Sequence, residues 1–233
     1  MIHFSSRFHK LVLSFSFFFV SLHGVWAETP PKVIHTFVAL CDNATQSIVP
    51  VPERIGNGDD PFNNLYWGCG YGVKTFFKND PNWTLLKSKR NRESGAVIME
   101  RLIFKHKTQN AYLVADAYRG SQIKTALNDY FDALHGVSGS EVKVDGIIVR
   151  IGGYADLITY IGHNGLMEFD VPEIREKKIF KKRSAIAMAC YTKEYFEDHF
   201  KLADVHPLLL TTHLMAPEAY TLAAVLEEWL KPD

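Results

Sequence analysis

A histidine and a cysteine each follow a short apolar segment of this chain, and together they could carry out nucleophilic chemistry. His163 comes directly after LITYIG, and Cys190 comes directly after SAIAMA. A thiol with a pKa of ~8.5 is a weak nucleophile at neutral pH until an imidazole takes its proton or stabilises its charge. The pair therefore predicts thiol catalysis, with Cys190 as nucleophile and His163 as acid and base.

Three further residues are candidates for the same site. Gly165 follows His163 by two residues, so its backbone N–H could meet the oxyanion of an attacked carbonyl, together with the amide of Cys190. Asp116 lies near the expected end of the apolar segment AYLVADAYRG, and His213 lies in the last one, HPLLLTTHLM. We expect Asp116 and His213 to contact a substrate.

The surrounding segments predict the elements that must position these residues. Short runs rich in apolar and β-branched residues predict strands at 32–41, 96–107, 111–116, 155–162, 184–190 and 206–215. Helical patterns predict helices at 121–136, with Ser121 as the cap and Gly136 as the stop, at 191–200 and at 216–231. The alternation predicts an α/β domain whose mainly parallel sheet is flanked by helices on both faces. Ligands of such sheets bind at the carboxyl ends of the strands, where we expect Asp116, His163, Cys190 and His213 to meet.

Other segments are less regular. Residues 42–64 contain three prolines and two glycines and predict a long loop, a kind of segment that often carries function. Residues 81–95 are interpreted as a polar excursion, whereas 64–78 and 144–154 fit more than one structure. The glycines Gly68, Gly70 and Gly72 do not match a dinucleotide-binding motif.

The N-terminus and the charge limit the class of protein. Arg7 and Lys10 precede an apolar run, Leu11 to Leu22, and small residues follow at Val25 and Ala27, which predicts a signal peptide over 1–27 and a secreted or periplasmic protein. The run is too short for a spanning helix, so we expect no stable membrane insertion after cleavage. A single domain, 28–233, then remains, with 24 basic and 26 acidic residues. This near-neutral balance of charges does not indicate a nucleic-acid-binding surface.

The three cysteines and the acidic residues leave alternatives open. Cys41 could pair with Cys69 in an oxidising compartment, leaving Cys190 free, but spacing does not determine connectivity. We expect no metal or cofactor. One alternative is a zinc site made by His163, Cys190, His213 and Asp116. Another is a structural calcium site at Asn57, Asp59 and Asp60, for which loop capping is the competing interpretation.

The two strand ends also resemble a known family. A hydrophobic strand that ends in a histidine and glycine, followed by one that ends in Ala-Cys, is similar to the caspase-like cysteine peptidases, the clan of caspases, legumains, gingipains and separases. The matching residues are 157–165 and 185–190. The resemblance implies a caspase-like fold, a peptide or protein substrate, His163 as general base or proton donor, Cys190 as nucleophile and Gly165 as oxyanion donor.

Substrate preference and activity itself remain open at this level. Asp59, Asp60 and Asp116 could recognise a basic side chain, and Arg119 and Arg150 an acidic one. The alternative to a peptidase is a catalytically inactive, secreted binding module on the same fold. Its partner surface would be the aromatic segment 61–77, which contains Tyr66, Trp67, Tyr71, Phe76 and Phe77.

Overall fold

The protein is an α/β domain built on a mostly parallel sheet of seven strands. A computed structural model describes residues 30–173 and 175–231, so the predicted signal peptide lies outside the described residues. Its nine strands are β1 (Lys32–Ala39), β2 (Trp83–Arg90), β3 (Ile98–His106), β4 (Ala111–Tyr118), β5 (Gly139–Val144), β6 (Ile147–Gly152), β7 (Leu157–Ile161), β8 (Ser184–Met188) and β9 (His206–Leu210). Its four α-helices are α1 (Val73–Asn79), α2 (Ile123–His135), α3 (Thr192–Ala203) and α4 (Ala219–Trp229).

The main sheet has the strand order β2-β3-β4-β1-β7-β8-β9. The five strands from β4 to β9 are parallel, whereas β2 and β3 add an antiparallel edge. Strand β1 lies near the middle and is buried along almost its whole length, as its continuous apolar sequence predicts. The prediction of a mainly parallel α/β sheet is confirmed.

Helices cover both faces of this sheet. On one face, α2 and α3 bury aromatic residues, among them Tyr130, Phe131 and Phe196, against the strands. On the other face, α1 and α4 contribute Phe77 and Leu226. None of the helices within 30–173 and 175–231 has the length and apolar character that a bilayer crossing requires.

Several sequence predictions differ from the structure in detail. Residues 83–90, interpreted as a polar excursion, form β2, because an edge strand needs to bury only one face. Residues 139–152 form an antiparallel hairpin whose turn places Asp145 and Gly146 at positive φ. Helix α2 ends at Gly136 as predicted, with φ +68°, but a short 3-10 turn precedes it and Ser121 does not cap it. The helix predicted over 216–231 is shorter at both ends, Ala219–Trp229, and packs through Leu222, Ala223 and Leu226.

Asp116 does not end its strand, contrary to expectation. Strand β4 continues to Tyr118, and Asp116 is completely buried within it. The carboxylate accepts two hydrogen bonds of 2.6 Å from the Arg101 guanidinium and lies 3.0 Å from Nε2 of His35. Burial opposes ionisation, but these hydrogen bonds outweigh it and lower the pKa of Asp116. Because the Asp116 carboxylate is neutralised by Arg101, strand β4 continues past it, and the prediction that the strand ends near Asp116 is wrong.

We expect Arg101→Met to lower the free energy of unfolding by about 3 kcal/mol at pH 7, because it leaves a buried carboxylate without its main partner. Because the pKa of Asp116 is lowered on folding, this contribution is present above the ordinary Asp pKa and is lost as pH falls through the folded value. Denaturant titrations of both proteins across this range measure it. Arg150→Met is the matched control, since Arg150 pairs with Glu141 on an exposed hairpin. Equal losses in the two variants would contradict the prediction.

Candidate functional site

His163 and Cys190 leave the sheet from equivalent points on neighbouring strands. Strands β7 and β8 are parallel, and their last paired residues are Ile161 and Met188. His163 and Cys190 each lie two residues beyond this pair. Neighbouring strands are ~4.8 Å apart, so the two residues begin from adjacent positions at the carboxyl edge. The predicted meeting of these two strand ends at one edge of a parallel sheet is therefore what the structure shows.

The side chain of Asn164 connects the two strand ends by a hydrogen bond. This side chain is fully buried, and Nδ2 donates a hydrogen bond of 2.7 Å to the carbonyl oxygen of Cys190. The Asn164 Oδ1 atom accepts from the N–H of Leu166 at 3.1 Å and so caps the short 3-10 turn Gly165–Met167. The hydroxyl of Tyr160 donates to the carbonyl of His163 at 2.7 Å. The backbone around the imidazole is thus held from both sides.

Glu168 holds the His163 ring, and sequence reasoning missed it. Its Oε1 atom lies 2.5 Å from Nε2 of His163 and also accepts the N–H of Ser47 at 2.9 Å. A carboxylate only accepts hydrogen bonds, so Nε2 carries the proton and Nδ1 is left to exchange one. The available signal was a carboxylate five residues after the histidine, in HNGLMEF.

Cys190 lies at a sharp turn between β8 and α3. The next residue, Tyr191, has φ +52°, in the left-handed region that a bulky side chain rarely adopts. Its N–H donates to the carbonyl of His213 at 3.1 Å. Strain of this kind persists where surrounding contacts impose it, and it is concentrated at functional sites. The turn leaves the Cys190 side chain partly exposed, directly before the first turn of α3.

The Cys190 sulfur makes its hydrogen bonds with a backbone segment. Sγ lies 3.6 Å from the carbonyl oxygen of Met215 and 3.4 Å from its N–H. Within the described part of the chain, no hydrogen bond joins Sγ to His163, and the N–H of Cys190 meets no acceptor. Catalytic hydrogen bonds are often made only once a substrate is bound. The free amide of Cys190 fits the oxyanion role predicted for it.

His163 and Cys190 line one cavity of about 450 Å³. Four segments close it: the loop after β1, the loop before α1, the turn after β7 and the segment after β9. They contribute, respectively, Ser47, Ile48, Val49 and Val51; Leu65 and Tyr66; Gly162 and Met167; and Leu214, Met215 and Ala216. The long loop at 42–64 predicted from its prolines and glycines therefore forms one wall of the site.

The remaining predicted site residues lie elsewhere or have other partners. The N–H of Gly165 donates to the carbonyl of His163 at 3.1 Å, so it is not aimed at an oxyanion. A Cβ at this position would lie 2.5 Å from Cζ of Phe169, which explains the glycine by packing. Asp116 does not line the cavity. His213 is exposed beside it, with its ring packed against Tyr191 at 6.2 Å.

The other two cysteines differ from Cys190. Cys41 and Cys69 are both free thiols, so the arrangement that would pair them is not formed. Cys41 is completely buried, and burial raises its pKa to about 11. It is therefore a poor nucleophile at neutral pH. Cys69 is partly exposed but lies outside the cavity.

The metal alternatives find no matching geometry. Among residues 30–173 and 175–231, no three His, Cys, Asp or Glu side chains are grouped to hold a metal ion. In the acidic loop, Asn57 Oδ1 accepts the N–H of Asp59 at 2.9 Å, and Asp60 Oδ1 accepts that of Phe62 at 2.9 Å. These side chains cap the loop, as the competing interpretation predicts.

The aromatic segment 61–77 is mostly core. Trp67 and Phe77 are completely buried, and Tyr66 is 8% exposed. Tyr71 is exposed and packs edge-on against Tyr220, with ring centroids 5.8 Å apart. The segment as a whole is therefore not the continuous partner surface that its composition suggested.

The protein is thus an α/β domain with a histidine and a cysteine at the carboxyl edge of its parallel strands. No family model, curated protein sequence or solved structure matches the chain.

We expect Asn164→Asp to lower the melting temperature by several degrees. The change keeps the shape and the Oδ1 acceptor, but it places a carboxylate oxygen against the carbonyl of Cys190. Losing a buried donor in this way costs ~1–3 kcal/mol, and each kcal/mol shifts the transition of a domain of this size by about 2–4 °C. Calorimetry measures the shift. Asn82→Asp, at an exposed position, is the control and should melt like the parent.

Proposed function

We propose that this protein is a cysteine peptidase of the caspase-like type, which hydrolyses peptide bonds by means of Cys190 and His163. The observation that carries the proposal is the equivalent placement of the two residues, two positions beyond the Ile161–Met188 pair, at the wall of one cavity. The resemblance of residues 157–165 and 185–190 to that clan supports it. So does the strand arrangement, in which the histidine and the cysteine each follow one of two adjacent parallel strands.

In the proposed reaction, Nδ1 of His163 takes the proton of the Cys190 thiol, the sulfur attacks the carbonyl carbon of the substrate, and the carbonyl electron pair moves to oxygen. The N–H of Cys190 donates to that oxyanion. As the C–N bond breaks, His163 delivers a proton from Nδ1 to the leaving nitrogen, and an acyl thioester remains. Water then attacks the thioester, His163 accepts a proton, and the acid and the free thiol are released.

Glu168 has a positioning role in this proposal. Its hydrogen bond to Nε2 fixes the orientation of the His163 ring and leaves Nδ1 to exchange protons. The same carboxylate stabilises the imidazolium that forms. The bond from Ser47 holds the carboxylate in turn. Glu168 thereby joins the histidine turn to the loop that forms one wall of the cavity.

A binding module without turnover is the second candidate function. It is favoured by one observation, the hydrogen bonds of the Cys190 sulfur to Met215 instead of to His163. Export of the chain, which residues 1–27 predict, belongs to both proposals. The same experiments separate the two, because only the peptidase needs an activated thiol.

Alkylation of Cys190 by iodoacetamide tests the activated thiol. In a Cys69→Ser background, Cys190 should react faster near neutral pH than a simple thiol, and His163→Ala should slow it to the rate of a free thiol. Intact mass against time gives the rate, and Cys41 is protected by its burial. A parent rate equal to that of a free thiol and of the His163→Ala variant would support the binding module.

Cleavage of a library of fluorogenic peptides tests turnover. We expect Cys190→Ala to abolish cleavage and His163→Ala to reduce kcat by ~10²-fold or more, since general acid-base catalysis contributes 10²–10⁴. Glu168→Gln should lower kcat, leave KM nearly unchanged and alter the pH profile, because it perturbs the imidazole and not the cavity. The control is Glu194→Gln, an exposed change in the first turn of α3. A Glu168→Gln variant with unchanged kcat and pH profile would remove its positioning role.

A further inference from the structure

The rim of the Cys190 cavity carries an unusual amount of exposed apolar surface. Val49 is 85% exposed, Leu214 is 71% exposed and Met167 is 45% exposed, and each comes from a different segment. Large apolar side chains that converge on one cavity from separate parts of the chain mark a binding surface more often than isolated ones do. The backbone N–H and carbonyl of Met215, between Leu214 and Ala216, contact the Cys190 sulfur, and all four residues line the same cavity. The apolar residues of this segment therefore lie beside the reacting atom.

Apart from His163, the cavity is lined by uncharged side chains. Among the described residues that line it, none is an aspartate, glutamate, lysine or arginine. Tyr66 stays neutral there, because burial and the neighbouring thiols of Cys41 and Cys190 raise its pKa. Apart from the imidazole of His163, which the proposed reaction uses for proton transfer, a charged side chain brought into this cavity would find no opposite charge among the lining residues.

The charged residues considered for substrate recognition are occupied elsewhere. Arg119 forms an ion pair with Asp59, and Arg150 pairs with Glu141 at 3.0 Å. Asp60 caps the loop around Phe62. Asp116 is enclosed with Arg101 and His35. None of these candidates lines the cavity beside Cys190.

We propose that the substrate residue on the acyl side of the cleaved bond carries a bulky, uncharged apolar side chain, of the leucine, methionine or phenylalanine kind. This inference rests on the proposed function and assigns its substrate class. The side chain would pack among Val51, Leu65 and Leu214 while its carbonyl faces the Cys190 sulfur. A cavity of about 450 Å³ is within the range that encloses such a group. Glycine at this position would leave most of it unfilled.

A set of peptidyl acyloxymethyl ketones tests the assignment. The probes share one peptide and differ only in the residue next to the ketone, which is Leu, Gly, Asp or Arg. The Cys190 sulfur forms a bond to the methylene carbon, the carbon–oxygen bond breaks, and the carboxylate leaves. With the full chain we expect the Leu probe to label Cys190 at least tenfold faster than the other three, as measured by intact mass and peptide mapping.

A variant that adds a negative charge at the rim tests whether the cavity sets the preference among the probes. Leu214→Glu places a carboxylate at the rim without disturbing the core, since Leu214 is 71% exposed. It should slow the Leu probe and accelerate the Arg probe. Leu202→Glu is the matched control, because Leu202 is 55% exposed and lies on α3 outside the cavity. It should leave the order of the probes unchanged.

The outcomes separate this inference from the proposed function. Faster labelling of Cys190 by the Asp, Arg or Gly probe in the parent protein would overturn the apolar assignment and leave the peptidase standing. Equal effects of Leu214→Glu and Leu202→Glu would also overturn it. If no probe labels Cys190 faster than it labels Cys69, the peptidase proposal fails and the substrate assignment fails with it. Preferential hydrolysis of a long-chain fatty acyl ester would show that the cavity serves a lipid and not a peptide.

Discussion

The parallel pairing of β7 with β8 is the constraint on which the site depends. Because the two strands run in the same direction and stop at the same level, the residues that follow them leave the sheet side by side. A hydrogen bond of 2.7 Å from Asn164 Nδ2 to the carbonyl oxygen of Cys190 then joins the two turns. The backbone of both turns is held by hydrogen bonds, while the His163 ring, 8% exposed, and the partly exposed Cys190 side chain line the cavity.

The rest of the site is assembled around this pair from segments far apart in sequence. The loop after β1 reaches the imidazole through Ser47 and Glu168, and the segment after β9 reaches the sulfur through Met215. These contacts connect the centre of the sheet with its edge. A carboxylate, an imidazole and a thiol are thereby placed in one region without sharing a strand, and apolar residues of the same segments line the cavity beside them.

A second group of buried polar residues shows that charge alone does not mark function in this protein. Asp116, Arg101 and His35 form a closed set of hydrogen bonds inside the sheet, and Glu100 is similarly surrounded by Lys74 and Trp67. Burial disfavours the charged form of each carboxylate, and the hydrogen bonds reverse that effect, so both have a lowered pKa. Each is satisfied by the protein itself. By contrast, the amide of Cys190 has no acceptor within the described residues, and an unfilled polar group beside a cavity is where a ligand can contribute.

Local sequence determined the strands β1, β3, β7 and β8, the helices α2 and α3, and the positions of a histidine and a cysteine just after two of those strands. Each of these depends on periodicity, apolar runs or a stop such as Gly136, which neighbouring residues set. Only the tertiary structure decided that Asp116 is an internal partner of Arg101, that the Gly165 amide is occupied, that β2 is an edge strand and that Glu168 and Met215 complete the site. These outcomes depend on contacts between residues distant in the chain. No local pattern specifies such contacts, because the hydrogen-bond partner of a side chain is set by which elements pack against it.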